Sequence, residues 1–417
     1  MKTIQRAVTR TLVGTSLVLG AAACSDEFLQ VTNPNVIDAA TVNPTTAGAT
    51  LAASAQQNFA VAYGWLAMYS GWFTGEANVS DTFPTRNEFG QRTISDLNGS
   101  LNGDVWGPIS LAVASAKTVL DLDLSTPTTN ISLARAATFR GFSLLMLASD
   151  FCTGTISSGP ELTTTQLLDS AAFWFTRGID VGRANATADG IALSNAALVG
   201  RARAKLQKGD NAGASTDAAA VPSGFEYNLR YTDDANSRTR LSNRLYQFSF
   251  DRGSISVAPW YRQNDPRVPS RAPGSGTAAP QDAVPGGFYQ QAKFTGYASS
   301  IRLASKLEAE YIVAEASSNA TTQLALINAR RTANGLAAYA GAMDAASVKA
   351  ELFNQRALEF YLEGKRLADF RRSPASVTSI TPSGQPYFKP GYGNTGTQTC
   401  YPLPRAERDN NPNTAGK

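Results

Sequence analysis

"RALEFYLEGKRLADFRR", residues 356–372, decides how the whole chain is read. Ala357, Phe360, Gly364 and Leu367 recur at steps of three or four, which places them on one face of a helix. Glu359, Glu363, Arg366 and Asp369 stand beside them at the i,i+3 and i,i+4 intervals where opposite charges pair. The pattern predicts one helix over 344–372 with a glycine inside it. A mid-helix glycine costs about 0.5–1 kcal/mol relative to alanine, so Gly364 is expected to admit a neighbouring ring or backbone. Glu359, Glu363, Arg366 and Asp369 then form a structural ion-pair set. The rival reading makes two of the carboxylates an acid–base pair, but nothing in the stretch suggests a substrate cleft between them.

Working outward, further helices are predicted on both sides. Residues 304–318 and 321–335 form a hairpin, its second helix closed by Gly335 as the residue after the cap. Upstream lie 50–72, then 104–124 with Asp104 as N-cap, and 132–151, which is apolar around most of its circumference and so expected to be buried. Helices over 163–184, 191–210 and 211–221 follow, the last two joined across "KGD" as a helix, tight turn, helix unit. Residues 225–294 differ: rich in Gly, Pro, Ser, Asn and aromatics, they predict loops with short strands such as "RLYQFSF" (244–250).

The N-terminus reads as a signal segment over 1–23: Lys2, Arg6 and Arg10, then "TLVGTSLVLG", then three alanines before Cys24. The cysteine resembles the lipobox position of bacterial lipoproteins, which implies a lipidated Cys24 anchored through its acyl chains. Removing those three cations from 37 basic residues, against 33 acidic ones, leaves a nearly neutral protein. Nucleic-acid binding therefore has no electrostatic support. The chain has no histidine, which excludes His-based triads and histidine metal ligands. No GxSxG, Walker A or CxxC pattern occurs, and no metal or cofactor is expected. Cys152 and Cys400 remain as an even pair in an exported chain, open to a disulfide or to two free thiols.

Across its length the chain resembles the SusD/RagB family of nutrient-uptake outer-membrane lipoproteins. The carrying stretches are "CSDEFLQVTNPN", "VWGPISLAVASAKTVL", "ARAATFRGFSLLMLASDFCTG", "DPRV" (265–268), "KLEAEYIVAEA", "ALINARRTANGL", "RALEFYLEGKRLADFRR" and "CYPLPRAERDNNPN". Gln355 and Ser373 depart from the family's usual acidic residue and tryptophan. The resemblance implies a mainly α fold: a tetratricopeptide-like helix-pair scaffold with an irregular loop-rich subregion and a few short strands. It also implies one domain over 24–417, divided into helical 24–224, irregular 225–300, helical 301–372 and a loop-rich tail 373–417. The expected function is non-catalytic capture of a nutrient, an oligosaccharide, at the cell surface, with delivery to a SusC-like TonB-dependent transporter.

Sugar capture needs exposed rings for stacking and polar side chains for hydroxyls. Two stretches supply candidates: Trp72, Phe73, Asn78, Arg86, Asn87 and Phe89 in 63–90, and Trp260, Tyr261, Arg262 and Asn264 in 260–267. Against each ring stands ordinary core packing, the reading preferred for Trp65, Tyr69 and Trp106. Two other function classes remain: an exported carboxylate-dependent glycan hydrolase, and a structural solenoid adaptor of an envelope complex.

Overall fold

The alanine-rich run at the start of the described chain forms α1, Pro44–Phe73. Phe59, Tyr63, Leu66, Tyr69, Trp72 and Phe73 bury it. The computed structural model describes residues 43–414; the expected signal segment and Cys24 lie outside them. A short helix, α2 (Pro84–Gln91), begins at a proline, the residue best suited to a first helical turn. Next comes α3, Gly107–Leu120, entered through a π-helical turn over Leu101–Trp106. Asp104 lies inside that turn and is not the expected N-cap; its carboxylate accepts from the Tyr69 hydroxyl at 2.6 Å.

Four helices then pack in sequence: α4 (Ile131–Asp150), α5 (Thr164–Asn185), α6 (Ala188–Gln207) and α7 (Asn211–Ala219). Asn130, Thr163, Thr187 and Asp210 cap them through side-chain oxygens, satisfying amides that a helix start leaves free. Phe175 of α5 lies between two glycines of its neighbours: a Cβ at Gly141 or Gly200 would stand 2.7 or 2.3 Å from its ring. The second helical group is α8 (Lys306–Ser317), α9 (Ala320–Ala333) and α10 (Ala345–Glu359). Gly335 closes α9 at φ +72°, with Leu336 N–H donating to the Arg331 carbonyl at 2.9 Å.

The helix predicted over 344–372 is broken. It stops at Glu359, passes through left-handed Leu362 and Gly364 (φ +54° and +67°), and restarts as α11, Arg366–Arg372. The break lays residues 361–364 against α1. Tyr63 donates its hydroxyl proton to the Glu363 carbonyl at 2.6 Å, and Leu362 N–H donates to Glu76 Oε1 at 2.8 Å. A Cβ at Gly364 would meet the Ala67 backbone at 3.2 Å. The expected close approach is real, but a turn makes it.

The ion-pair set is also different from the one expected. Its members do not pair with one another; most of their partners stand on other elements, and Asp369 also pairs with Arg372 along α11. Glu359 meets Arg267 and Arg330, Glu363 meets Lys293, Arg302 and Lys365, and Asp369 meets Arg356 and Arg372. Arg366 donates to the Phe353 carbonyl and Ser379 Oγ.

The irregular region rests on short strands. A four-stranded sheet runs β1 (Ala77–Val79), β5 (Ile255–Val257), β7 (Gln290–Gln291), β6 (Ser270–Arg271), all pairs antiparallel. Two further pairs are β2 (Thr153–Gly154) with β3 (Leu162–Thr163), and β4 (Glu226–Leu229) with β8 (Ile301–Ser305). "RLYQFSF" is not a strand: Asn243 caps a helical turn over Arg244–Tyr246, and a π-helical turn continues it over Gln247–Asp251. Cys152 and Cys400 are joined, Cα atoms 5.1 Å apart. Beside them Tyr401 is fully buried, its N–H donating to the Asp150 carbonyl and its own carbonyl accepting from Cys152 N–H, both at 2.8 Å.

Candidate functional site

Four of the first group of candidates are core. Trp72, Phe73, Asn87 and Phe89 are at most 1% exposed. Tyr69 packs on Trp72 and Phe89 at 5.0 and 4.4 Å, and Phe73 packs on Tyr401 at 5.3 Å. Phe73 and Phe89 present no face to a ligand, because α1, α2 and the C-terminal tail pack together through them, and Trp72 is left to wall a small cavity. Asn87 is occupied by the Asp81 and Phe83 carbonyls. Arg86 is bound to Asp81 at 2.6 Å and lies over the rings of Phe83 and Phe248. Asn78 is half-buried and lines a small cavity of about 150 Å³ with Trp72, Tyr387 and Phe388. The exposed ring in this stretch is Phe83, 51% accessible, which sequence reading passed over.

The second group converges better. Pro259–Tyr261 forms a 3₁₀ turn directly after β5. Tyr261 points inward onto Tyr361 at 5.0 Å, while Trp260 stays half-buried, edge-on to Tyr261. After it the chain opens a cleft of about 410 Å³ lined by Arg262, Asn264, Asp265, Val268, Ser270 and Tyr289, among others. Asn264 holds a left-handed backbone at φ +57°, a conformation Asn adopts more readily than most residues, and its side chain is exposed. Arg262 donates from Nε to the Val257 carbonyl at 2.8 Å and lies 3.9 Å over the Tyr289 ring. Burial pushes the Arg262 guanidinium down from its ordinary range. Asp265 is gripped by Arg267 through Nε and Nη2 at 2.8 and 2.7 Å. Burial alone would raise the Asp265 carboxyl; its hydrogen bonds and charge pairing with Arg267 hold it below the usual value. Tyr289, Ser270 and Asp265 were not among the sequence candidates; the Gly-Gly before Phe288 was the available sign of a tight turn delivering Tyr289.

A ring cluster missed from sequence sits on the π-helical turn. Tyr246 and Phe250 stack at 4.6 Å with 22° between planes, and Tyr297 meets Tyr246 edge-on at 4.8 Å. All three rings are half-exposed. Arg238 covers Tyr297, Arg271 reaches Phe250, and the Tyr297 hydroxyl donates to Asp251 at 2.7 Å. That hydrogen bond raises the Tyr297 pKa. Alternating rings suggested a strand, but four-residue spacing also stacks Tyr246 and Phe250 on a helical turn. Ser270 lines the cleft and Arg271 reaches the rings, as adjacent residues on a strand point to opposite faces.

A further cavity, about 530 Å³, is a dish of paired charges including Arg267, Lys293, Arg302, Glu359 and Glu363. Burial would raise Glu363, but Lys293, Lys365 and Arg302 hold it well below the carboxylate range. Among the described residues no group of three or more His, Cys, Asp or Glu could hold a metal ion.

No protein-family model matches the chain, and no curated protein sequence does. Solved structures do. A SusD-like carbohydrate binding protein from Bacteroides vulgatus ATCC 8482 is 15% identical, covers 88% of this chain and 96% of its own, and superposes with TM-score 0.67. A SusD superfamily protein from Parabacteroides distasonis ATCC 8503 is also 15% identical, with 89% and 98% covered and TM-score 0.64. A SusD homolog from Bacteroides thetaiotaomicron VPI-5482 is 13% identical, with 86% and 94% covered and TM-score 0.62. The likeness spans nearly all of each protein, and it establishes the fold.

Proposed function

We propose that this chain of SusD-like fold is a non-catalytic binding lipoprotein that captures a saccharide and passes it to a SusC-like TonB-dependent transporter. The observation that carries the reading is the stacked, half-exposed Tyr246–Phe250 pair with Tyr297 beside it. Such rings cover the C–H face of a sugar, and Arg238, Arg271 and Asp251 stand ready for its hydroxyls. The cleft at Arg262, Asn264 and Tyr289, with Trp260 beside it, is the second contact region. A binding role is further supported by the similar B. vulgatus protein, described as carbohydrate binding. Against hydrolysis, Glu359, Glu363 and Asp369 are each neutralised by two or more cations, unlike a working acid pair. The anchor is acylated Cys24, holding the protein on the outer membrane facing outward.

Native gels containing single polysaccharides test this. One polymer should retard the protein, and Tyr246→Ala or Phe250→Ala should each weaken retention roughly two- to tenfold. Free migration in every gel would favour the adaptor; release of shortened products would favour the hydrolase. Co-purification identifies the transporter. Cys24→Ala should free the protein from the membrane fraction or leave it unprocessed.

A further inference from the structure

Arg262 has an unbalanced charge in a cavity. Among the described residues its one hydrogen bond runs from Nε to the Val257 carbonyl; Nη2 is buried without an acceptor, and Nη1, which is not buried, meets none either. The acid lining the same cleft, Asp265, is already taken by Arg267 through two side-chain bonds and the Arg267 backbone N–H. Stacking on Tyr289 fixes the guanidinium plane.

We infer that this cleft takes a carboxylate borne on a uronic acid residue of a saccharide, with Arg262 as its counter-ion. Nη1 can give a carboxylate oxygen a charge-assisted N–H···O bond, the strong kind between an ionised donor and an ionised acceptor. One unpaired cation suits a monoanion better than a doubly charged phosphate. Asn264 and Ser270 supply the donors and acceptors that sugar hydroxyls need, and Val268 and Pro269 offer an apolar wall for the ring. A cleft of about 410 Å³ is of small-ligand size. The saccharide part rests on the capture reading above; the charge part rests on the cleft alone.

Calorimetry on the full chain in detergent, with a galacturonic acid trimer and the neutral galactose trimer, tests it. The acidic trimer should bind more tightly, and the preference should shrink with added salt. Arg262→Gln should cut the acidic-over-neutral preference roughly tenfold or more. Arg262→Lys, which keeps the charge without the planar group stacked on Tyr289, should retain part of it. Equal affinities, a preference untouched by Arg262→Gln, or tighter binding of a sulfated trimer or a peptide C-terminus would overturn the assignment. Binding of free galacturonate that is lost in Arg262→Gln, with no polymer retained in any gel, would sink the capture reading while sustaining the cleft's charge. A neutral polymer held through the rings with no acidic preference would do the reverse.

Discussion

Gly364 shows how one missing side chain can be required twice. Its φ of +67° suits glycine, and a Cβ would press on the Ala67 backbone at 3.2 Å. Gly364→Ala gains no helix propensity, since the residue is not in a helix. It should cost about 1–3 kcal/mol, from the left-handed backbone together with crowding. Gly335 separates the two causes: its φ is +72°, but nothing lies within 4 Å of its Cβ position. Gly335→Ala should therefore lose about 1 kcal/mol, the backbone part alone. Urea unfolding of both variants reads the difference, and equal losses would remove the packing half of the explanation.

At the level of elements, helices were the readable part because their signals are local. Caps such as Thr163 with Gln166, or Gly335 after α9, act within a few residues of the helix they bound. The turn at 361–364 was hidden because its cause is α1, some 300 positions earlier. The ring cluster was hidden because alternation of rings over 246–250 reads as a strand until Asn243 is known to cap a turn. For the site, residue type was a fair guide but burial was not: Trp72, Phe73 and Phe89 look like a platform and serve as core. The bridge between Cys152 and Cys400 links two segments 248 residues apart. Converting both to serine should cost about 2–4 kcal/mol. The tail should not simply detach, because Tyr401 is buried and Glu407 accepts from Thr155 and Trp106 at 2.6 and 3.3 Å. Hydrogen exchange should show the Tyr401 amide still protected in the double variant; fast exchange there would show that the bridge alone holds the tail.

Across the whole molecule, buried carboxylates pull stability in opposite directions with pH. Burial raises Glu308 and Asp369, but Lys365, Arg203 and Arg356 around the first, and Arg356 and Arg372 around the second, hold both below the usual range. Their contribution is present above the unfolded carboxylate range and is lost as pH falls through the depressed folded values. Glu76 and Asp150 behave oppositely. Burial pushes Glu76 up to about 7 and Asp150 up to about 8, and both Asp150 oxygens lack a hydrogen-bond partner among the described residues. The folded state therefore keeps protons that the unfolded chain has released, so stability falls as pH rises from about 5 to 8. Each group contributes a slope of up to about 1.4 kcal/mol per pH unit. Asp150→Asn should flatten this decline in urea titrations at pH 5, 6.5 and 8; an unchanged slope would refute the assignment.

The hydrogen bond from Tyr63 to the Glu363 carbonyl, spanning 300 residues, also sets a timetable. A chain is made from its N-terminus, so α4 to α7 can pair almost as soon as they appear. The first described helix can pair only in part. Phe59 meets Phe139 and Phe142 of α4, and Tyr69 meets Phe89 of α2. Its C-terminal turn at Gly71 and Phe73 waits for Leu362 and Tyr401, which are made near the end. Closing such distant contacts is slow, and apolar surface left waiting invites aggregation. A chain ended before residue 356 should thus keep strong helical circular dichroism yet bind hydrophobic dye and precipitate. In the cell, the C-terminal turns of α1 would need a holding chaperone until Leu362 and Tyr401 arrive to cover them.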